Sequence, residues 1–360
     1  MLAFGKLSLC LLAVGSFCSK QSLGQFIPVT ACVTFSSSGA LATGTVRDRS
    51  DIEIRLAEPA ARSVAIHVNI PFSESCEQAF SSDGNWLATV VKAEALQVVI
   101  LNCKSGLVQA QFSSPWQLFH KFPFESQSRS GFLAGFTPND NVALWRQVPH
   151  DPTDTRASPL IDMHVQIWSV KGELLVDQLL GNAGRNDTQT GAAENGLTRI
   201  CRPAGGCYWH LSSPDQQDLF MTIDRKGDKD EKATLFDHSG EVKAELDLPV
   251  PRNIWGRLVP DWMYSGAPLI SSDGQIAAVI RSHVAWVLVD TDRDWGSEVD
   301  VLTTKPLRLI TSYKTGLGGI GALAVDHRDS NIRVVGFWKG RWHDLRWDEK
   351  HPGDWKKAAI

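Results

Sequence analysis

The sequence feature that most constrains the fold is a short turn motif that recurs along the chain. In the clearest copy, Phe80 is followed by two serines, Asp83 and Gly84, and then by the apolar, β-branched segment 86–91. Small hydroxyl residues, an acid and a glycine between two such segments are typical of a tight turn that joins antiparallel strands. The motif therefore predicts a β-hairpin.

Copies of this motif divide the chain into units of 45 to 75 residues. The apolar residue before the turn is Phe35, Phe80, Phe136, Leu211, Ile270 and, in a degenerate sixth copy, Val325. A second hairpin, with a polar turn that closes on glycine, follows in segments 98–108, 165–176 and 233–244. Each unit thus predicts four antiparallel strands, A to D, with one turn between A and B and another between C and D.

Repeats of four short strands in this size range are typical of a β-propeller, in which each unit is one blade. The 29 glycines and 17 prolines, with only 4 methionines, fit a chain of many strands and turns. We predict an all-β fold, a single β-propeller of about six four-stranded antiparallel blades. Seven blades are the alternative, if an irregular blade lies in the long interval after residue 136.

The motifs also resemble those of a known family. The turn 80–84, Phe-Ser-Ser-Asp-Gly, resembles the Ser-Pro-Asp-Gly turn of TolB-type, WD40-like propeller repeats. The segment 165–169, Val-Gln-Ile-Trp-Ser, is similar to the end of strand C in WD40 repeats, with Ser169 where an aspartate is usual. The resemblance covers residues 30–348 and is to a divergent repeat, because the Gly-His dipeptide of WD40 repeats is missing. It implies a binding scaffold, which is the role of most members.

Composition and charge exclude some classes of partner. Hydrophobic residues make up 43% of the 360 residues and charged residues 21%, values typical of a globular protein. The net charge is -4, so no nucleic-acid or anionic-membrane partner is predicted. We expect a monomer whose partner is a protein, a peptide or a glycan.

Residues 1–24 have the pattern of a cleaved signal peptide. Lys6 precedes an apolar run over 7–17, and Ser22-Leu23-Gly24 is a small-x-small cleavage site. An uncleaved anchor is the alternative. No later segment approaches the length of a transmembrane helix. We predict an extracytoplasmic protein, periplasmic or secreted, with the propeller in residues 25–360.

Five of the seven cysteines follow the signal peptide. Cys201 and Cys207 enclose the turn-forming Arg-Pro-Ala-Gly-Gly, which predicts a small disulfide loop in an oxidising compartment. Metal binding by this pair would need a second pair at ligand spacing, which the sequence lacks. The pairing among Cys32, Cys76 and Cys103 stays open, with at least one free and buried thiol.

Strand order separates short connections from long ones. In a blade of four consecutive strands, the A–B and C–D connections lie on one rim and the B–C and D–A connections on the other. The long connections of the second rim, the long-loop rim, are 113–131, 147–164, 181–207, 249–268 and 311–322. The segment 290–302 is expected as a long C–D connection on the opposite rim. Because loops on a rigid scaffold commonly carry binding surfaces, we expect the function on the long-loop rim.

The segment 249–268 is the best candidate for a binding surface. It combines aromatic and charged residues, the types that often dominate interfaces. Five of them are Trp255, Arg257, Asp261, Trp262 and Tyr264. The alternative is that they only hold the loop against the rim. His120 and His150 lie on other long connections of this rim and are further candidates.

Two local motifs match ligand-binding patterns only in part. The segment 316–321 reads G-x-G-x-x-G, but a strand-like segment follows where a dinucleotide site needs a helix. The segment 290–296 alternates carboxylates, but Trp295 occupies the position of the EF-hand glycine. We interpret both as polar loops, and predict no cofactor and no metal.

Two functions fit these observations. The first is an exported, non-enzymatic propeller scaffold that binds a protein, peptide or glycan on its long-loop rim. The second is a lactonase-like propeller hydrolase with an axial site that could use a metal, because catalytic groups can converge from distant positions. Convergence of His120, His150, His164, Asp151, Asp162 and Asp261 would favour the enzyme. The sequence favours the scaffold.

Overall fold

The computed structural model describes residues 30–47, 51–57, 62–67, 75–92, 96–114, 132–149, 161–180, 197–201, 207–211, 219–226, 230–237, 241–249, 262–285, 293–316 and 320–358. Every regular element in these ranges is a β-strand, and no helix there could cross a bilayer. The predicted signal peptide lies outside them and stays a prediction.

The strands of the first half form three four-stranded antiparallel sheets, blades 1 to 3. Blade 1 comprises β1 (Ala31–Phe35), β2 (Leu41–Arg47), β3 (Asp51–Leu56) and β4 (Arg62–His67). Blade 2 comprises β5 (Ser75–Phe80), β6 (Trp86–Lys92), β7 (Leu96–Asn102) and β8 (Leu107–Ser113). Blade 3 comprises β9 (Phe132–Phe136), β10 (Val142–Pro149), β11 (Ile161–Trp168) and β12 (Leu174–Leu180).

The second half begins with a two-stranded and a three-stranded sheet and ends with two four-stranded ones. The first two are β13 (Leu197–Cys201) with β14 (Cys207–Leu211), and β15 (Leu219–Lys226), β16 (Asp230–Asp237) and β17 (Val242–Pro249). Blade 5 comprises β18 (Trp262–Ile270), β19 (Ile276–Ala285), β20 (Arg293–Thr304) and β21 (Leu307–Gly316). Blade 6 comprises β22 (Ile320–Arg328), β23 (Asn331–Trp338), β24 (Arg341–Asp348) and β25 (Lys356–Ala358).

A repeated register shift identifies the three-stranded sheet as part of blade 4. Strands C and D of blades 2, 3 and 5 share it, at Ile100/Leu101, Ile167/Trp168 and Val301/Leu302. β16 and β17 have the same shift, at Leu235/Phe236. We therefore assign β15, β16 and β17 to strands B, C and D. We assign β14 to the place of strand A because it precedes them along the chain, although among the described strands it pairs with β13.

Apolar clusters hold neighbouring blades together. Separate cores join blade 1 to 2, blade 2 to 3, blade 4 to 5 and blade 5 to 6. Strands packed on both faces read as near-continuous apolar runs; in β7, Val98 to Leu101 are all fully buried. β1 also contacts β22, so the last blade meets the first and the ring closes. The predicted fold, an all-β propeller of about six blades, is confirmed.

The recurrent turn is held by its first hydroxyl and its acid. The backbone N–H of Trp86 donates to Ser81 Oγ at 2.9 Å, and the Ser81 hydroxyl donates to Asp83 Oδ1 at 2.7 Å. Gly84 has a φ of 69°, in the left-handed region that favours glycine. Burial raises the pKa of Asp83, but hydrogen bonds from Ser81 and Asn85 outweigh burial and hold that pKa below its ordinary value. The motif is therefore a self-satisfied A–B turn, as predicted.

Side chains of these turns also link neighbouring blades. The Ser37 hydroxyl donates to the carbonyl of Ser82 at 3.1 Å, and the Ser82 hydroxyl donates to Asp140 at 3.3 Å. Between blades 5 and 6, His327 Nδ1 lies 2.5 Å from Asp273 Oδ2. The A–B turns of blades 1, 2 and 3 are thus connected, and the A–B turn of blade 5 is connected to strand A of blade 6.

Arg328 makes the corresponding link between the last blade and the first. Its guanidinium donates to the carbonyls of residues 36–38 in the A–B turn of blade 1, at 2.6 Å for Ser37. A Cβ on Gly39 would lie 2.4 Å from Arg328 Cζ, and Gly39 also has a φ of 84°. Glycine is therefore required there both by the backbone and by the arginine.

One disulfide joins two blades. Cys32 on β1 bonds to Cys76 on β5, and Gly44 lies opposite Cys32 in the β1–β2 register. A Cβ on Gly44 would lie 2.7 Å from Cys32 Sγ, so the glycine leaves room for the disulfide. Cys103 is free and half-buried, and burial, with a smaller effect of Asp83, raises its pKa to about 11.

The predicted Cys201–Cys207 disulfide is not tested by the structure. The backbone register of the β13–β14 hairpin places Cys201 opposite Cys207. Their side chains lie outside the described residues, so the disulfide stays a prediction.

Three expected connections differ from the structure. The segment 290–302 is not a C–D connection, because β20 covers Arg293–Thr304 and the C–D turn is 305–306. The segment 311–322 is not a long loop, because β21 continues to Gly316 and β22 begins at Ile320. In the segment 249–268, β18 begins at Trp262, so the loop prediction is wrong for its last third. In each case a strand of blade 5 or 6 is longer than the polar residues within it suggested.

Candidate functional site

The two rims of the propeller differ in the length of their connections. Every A–B and C–D connection between the observed strands has seven residues or fewer. The connections longer than seven residues are 114–131, 150–160, 181–206, which includes β13, and 250–261. All four are B–C or D–A connections. Removing the expected exception at 290–302 makes the one-sided distribution stricter than the sequence predicted.

The predicted binding residues fall into two groups. Trp255, Arg257, Asp261, His120 and His150 lie outside the described residues. Trp262 and Tyr264 lie on β18, the first strand of blade 5, where the register sets Trp262 opposite His283 and Tyr264 opposite Arg281. These two residues thus belong to a strand that leads into the sheet from the long-loop rim, and their binding role stays a prediction.

Arg281 marks a buried charge cluster in this part of blade 5. Its guanidinium bonds to Glu298, and its Nε lies 3.1 Å from Asp300 Oδ2. Asp300 is fully buried and also accepts a 2.6 Å hydrogen bond from the Ser312 hydroxyl. Lys314 Nζ lies 3.6 Å from Glu298 Oε1 at the surface. Each buried carboxylate therefore has a cation, and Asp300 has a hydroxyl as well, so the charges of the cluster compensate one another within the sheet.

The histidines and acids considered for catalysis are described at one side chain only. His164 Nε2 bonds to Asp177 Oδ1 of the adjacent strand, and Asp177 also accepts from Gln166 at 3.3 Å. The remaining candidates, His120, His150, Asp151, Asp162 and Asp261, are not described at the side-chain level. In the part of the chain that the structure describes, no three His, Cys, Asp or Glu residues are grouped to hold a metal.

A second charged feature lies at the B–C turn of blade 6. Lys339 and Gly340 form this two-residue turn, with φ angles of 52° and 71°. His343 stacks on Trp338 with ring centroids 4.0 Å apart and planes 3° apart, and its Nε2 lies 3.3 Å from the Trp338 carbonyl. The register sets Arg341 opposite Trp338. The turn therefore displays two cations beside a packed aromatic pair.

Three cations lie close enough to His343 to affect its pKa. Burial lowers the pKa of His343, and repulsion by Arg341, Lys357 and Lys339 lowers it further, against the opposing effect of the Trp338 carbonyl. The protonated form of the imidazole is therefore disfavoured. We call Lys339, Arg341, His343 and Lys357 the basic corner.

Sequence reasoning missed the basic corner. It also missed the contacts of Arg328 with residues 36–38 in the A–B turn of blade 1, which we call the Arg328 clamp. The signal for the first was the dipeptide Lys339-Gly340 between two strand-like segments, a two-residue hairpin in which lysine is unusual at a positive φ. The clamp left no local signal, because Arg328 and residues 36–38 are distant in the chain.

Comparison with known proteins adds no relative. No protein-family model and no curated protein matches the chain. Among solved structures it is similar to Kuenenia stuttgartiensis hydrazine synthase, with 13% identity, a TM-score of 0.38, and coverage of 91% of this chain and 79% of that one. It is also similar to the Cps50 (Swd1) β-propeller domain of Myceliophteria thermophila, with 11% identity, a TM-score of 0.41, and coverage of 88% and 95%.

At these identities and TM-scores, neither similarity indicates a family or a function. The propeller fold rests on the strand order and on the contacts between blades. The TolB-type resemblance of the turns stays a prediction.

Proposed function

We propose that this protein is an exported, non-enzymatic β-propeller scaffold that binds a protein, peptide or glycan partner on its long-loop rim. The observation that carries the proposal is the one-sided distribution of connections. Every connection longer than seven residues between the described strands lies on that rim. Variable loops on a rigid frame are the usual way in which such scaffolds build a binding surface.

Two features support export. The first is the predicted signal peptide of residues 1–24. The second is the Cys32–Cys76 disulfide, because disulfides persist in oxidising compartments outside the cytosol. Sequencing the N-terminus of the mature protein tests this part, and we expect it to begin at Gln25. A mature chain that retains Met1 would contradict cleavage.

The binding surface is tested with two double variants of the tagged, full-length protein. Trp255→Ala/Trp262→Ala removes two aromatic candidates, one before β18 and one at its first residue. The control, Leu107→Ala/Leu174→Ala, truncates two apolar side chains that are 68% and 43% exposed at the starts of β8 and β12. Cross-linking in the extracytoplasmic fraction then reports partner capture.

We expect the tryptophan variant to lose the cross-linked partner while the leucine variant retains it, with unfolding temperatures equal to wild type. Equal capture by both variants would contradict the proposed surface.

A further inference from the structure

Geometry places the basic corner on the long-loop rim, at the joint between blades 5 and 6. Lys339 lies in the B–C turn of blade 6, and a Cβ on Gly316 would lie 2.7 Å from Lys339 Nζ. Gly316 ends strand D of blade 5, so the ammonium of one blade lies against the last residue of the other. Lys357 lies further from the rim, on β25 opposite Leu345, and therefore on the same face of the sheet as Arg341 and His343.

The cations of the basic corner differ from two half-buried arginines of blades 5 and 6. Arg281 pairs with Glu298 and Asp300, and Arg333 pairs with Asp344 at 2.9 Å. Lys339, Arg341 and Lys357 form no ion pair with any residue that the structure describes, and all three are exposed. In a protein with a net charge of -4, this local excess of positive charge creates an attractive site for anions.

The backbone also fixes where one of these charges is presented. Lys339 has a φ of 52°, a conformation that asparagine, aspartate or glycine adopts more readily than lysine. The tight turn restricts the position from which its side chain leaves the rim. The stack of His343 on Trp338 packs the first residues of β24 against the end of β23.

We propose that the basic corner binds an acidic polypeptide segment, rich in aspartate and glutamate, on the partner of the long-loop rim. The inference rests on the proposed function, since it names the partner class for the same rim. Carboxylates form charge-assisted hydrogen bonds with lysine and arginine, and arginine can bind a carboxylate through two parallel bonds.

A polypeptide fits this site better than a saccharide does. A sugar ring would need an open aromatic face on which to stack, but Trp338 is only 3% exposed and His343 covers one of its faces. What the corner offers instead is several cationic donors at the ends of long side chains. These match carboxylates spaced along an extended chain.

Binding of a fluorescein-labelled hexaglutamate peptide to the mature protein, followed by fluorescence anisotropy, tests the proposal. The corner variant is Lys339→Asn/Arg341→Gln/Lys357→Gln, in which asparagine is chosen because it tolerates the positive φ of residue 339. The control variant is Lys104→Gln/Lys171→Gln/Lys350→Gln, which removes the same net charge from C–D connections on the opposite rim. Equal thermal unfolding curves confirm that both variants are folded.

We expect each corner substitution alone to weaken peptide binding about two- to fivefold, since exposed charge pairs contribute modest energies. The triple corner variant should bind at least about tenfold more weakly than wild type, and added salt should weaken wild-type binding. The control variant should bind like wild type.

Four results would overturn the inference. The first is wild-type affinity in the corner variant. The second is equal weakening in the control, which would show attraction by net charge alone. The third is tighter binding of a sulfated oligosaccharide than of hexaglutamate through the same three residues. The fourth is partner capture that is lost in Trp255→Ala/Trp262→Ala but unaffected in the corner variant. That result would overturn this inference and leave the proposed function intact.

Discussion

The two rims of the propeller differ in the residues that form them and in the contacts that those residues make. On the rim of A–B turns, small hydroxyls and carboxylates satisfy each other, as Ser81 and Asp83 do, and link one blade to the next. On the long-loop rim, cations of the basic corner have no described ion pair, and the connections are long. One rim thus links neighbouring blades through its turns, and the other is the rim on which we propose that the partner binds.

The buried charge cluster of blade 5 gives the largest expected effect. Arg281→Met would leave Glu298 and Asp300 buried without their shared cation, so we expect a loss of about 3–5 kcal/mol in the free energy of unfolding. Arg55→Met is the control, because Arg55 is 49% exposed in its pair with Glu53 and should cost at most about 1 kcal/mol. Urea titration of both variants measures the difference. Equal losses would show that Arg281 stabilises blade 5 no more than an exposed ion pair does.

The ring-closing clamp gives an intermediate effect. Gly39→Ala should cost about 1–2 kcal/mol from its positive φ and more from the contact with Arg328, because an added Cβ would overlap the guanidinium. Gly340→Ala is the control, since Gly340 also has a positive φ but its Cβ would meet no atom within 4 Å.

A double-mutant cycle isolates the contact with Arg328. In an Arg328→Ala background, the cost of Gly39→Ala should fall to that of Gly340→Ala. Unfolding free energies from urea titration measure the cycle. An unchanged cost would mean that Arg328 does not occupy the space beside Gly39 and does not link blade 6 to the A–B turn of blade 1.

The smallest effect concerns pH. Burial and three nearby cations hold the pKa of His343 below its ordinary value of 6.5. As the pH falls below 6.5, the unfolded chain therefore binds more protons than the folded chain does. The stability that His343 contributes is therefore fully present above pH 6.5 and is lost as the pH falls below 6.5 and through the lower pKa of the folded protein. His343→Gln should flatten this part of the stability curve, as measured by urea titration at several pH values. If the free energy of unfolding depends on pH in the same way in wild type and variant, the protonation of His343 does not contribute to stability and the effect of the three cations on its pKa is contradicted.

Much of the fold could be predicted because its signals are local. The Ser-Ser-Asp-Gly turns use bonds between residues at most five apart, so their recurrence marked the A–B corners and the blade number. Predictions failed in blade 5, where charged residues within β20 suggested a loop. Those polar residues are compatible with a strand because Arg281 pairs with Glu298 and Asp300 across it.

For the candidate site, the sequence could predict only the rim on which it lies. Strand order alone placed the long connections on one rim, but the sequence could not show which cations are paired. Arg281 and Arg341 are both arginines on strands of neighbouring blades, yet one is paired with buried carboxylates and the other is exposed.

By itself, the sequence determined the class of fold, the repeat and the rim that carries the long connections, because each follows from local turns and strand order. Only the tertiary structure decided the Cys32–Cys76 disulfide, the Arg328 clamp and the basic corner. Each joins residues from different strands or blades, and their proximity depends on how the blades pack rather than on spacing in the chain.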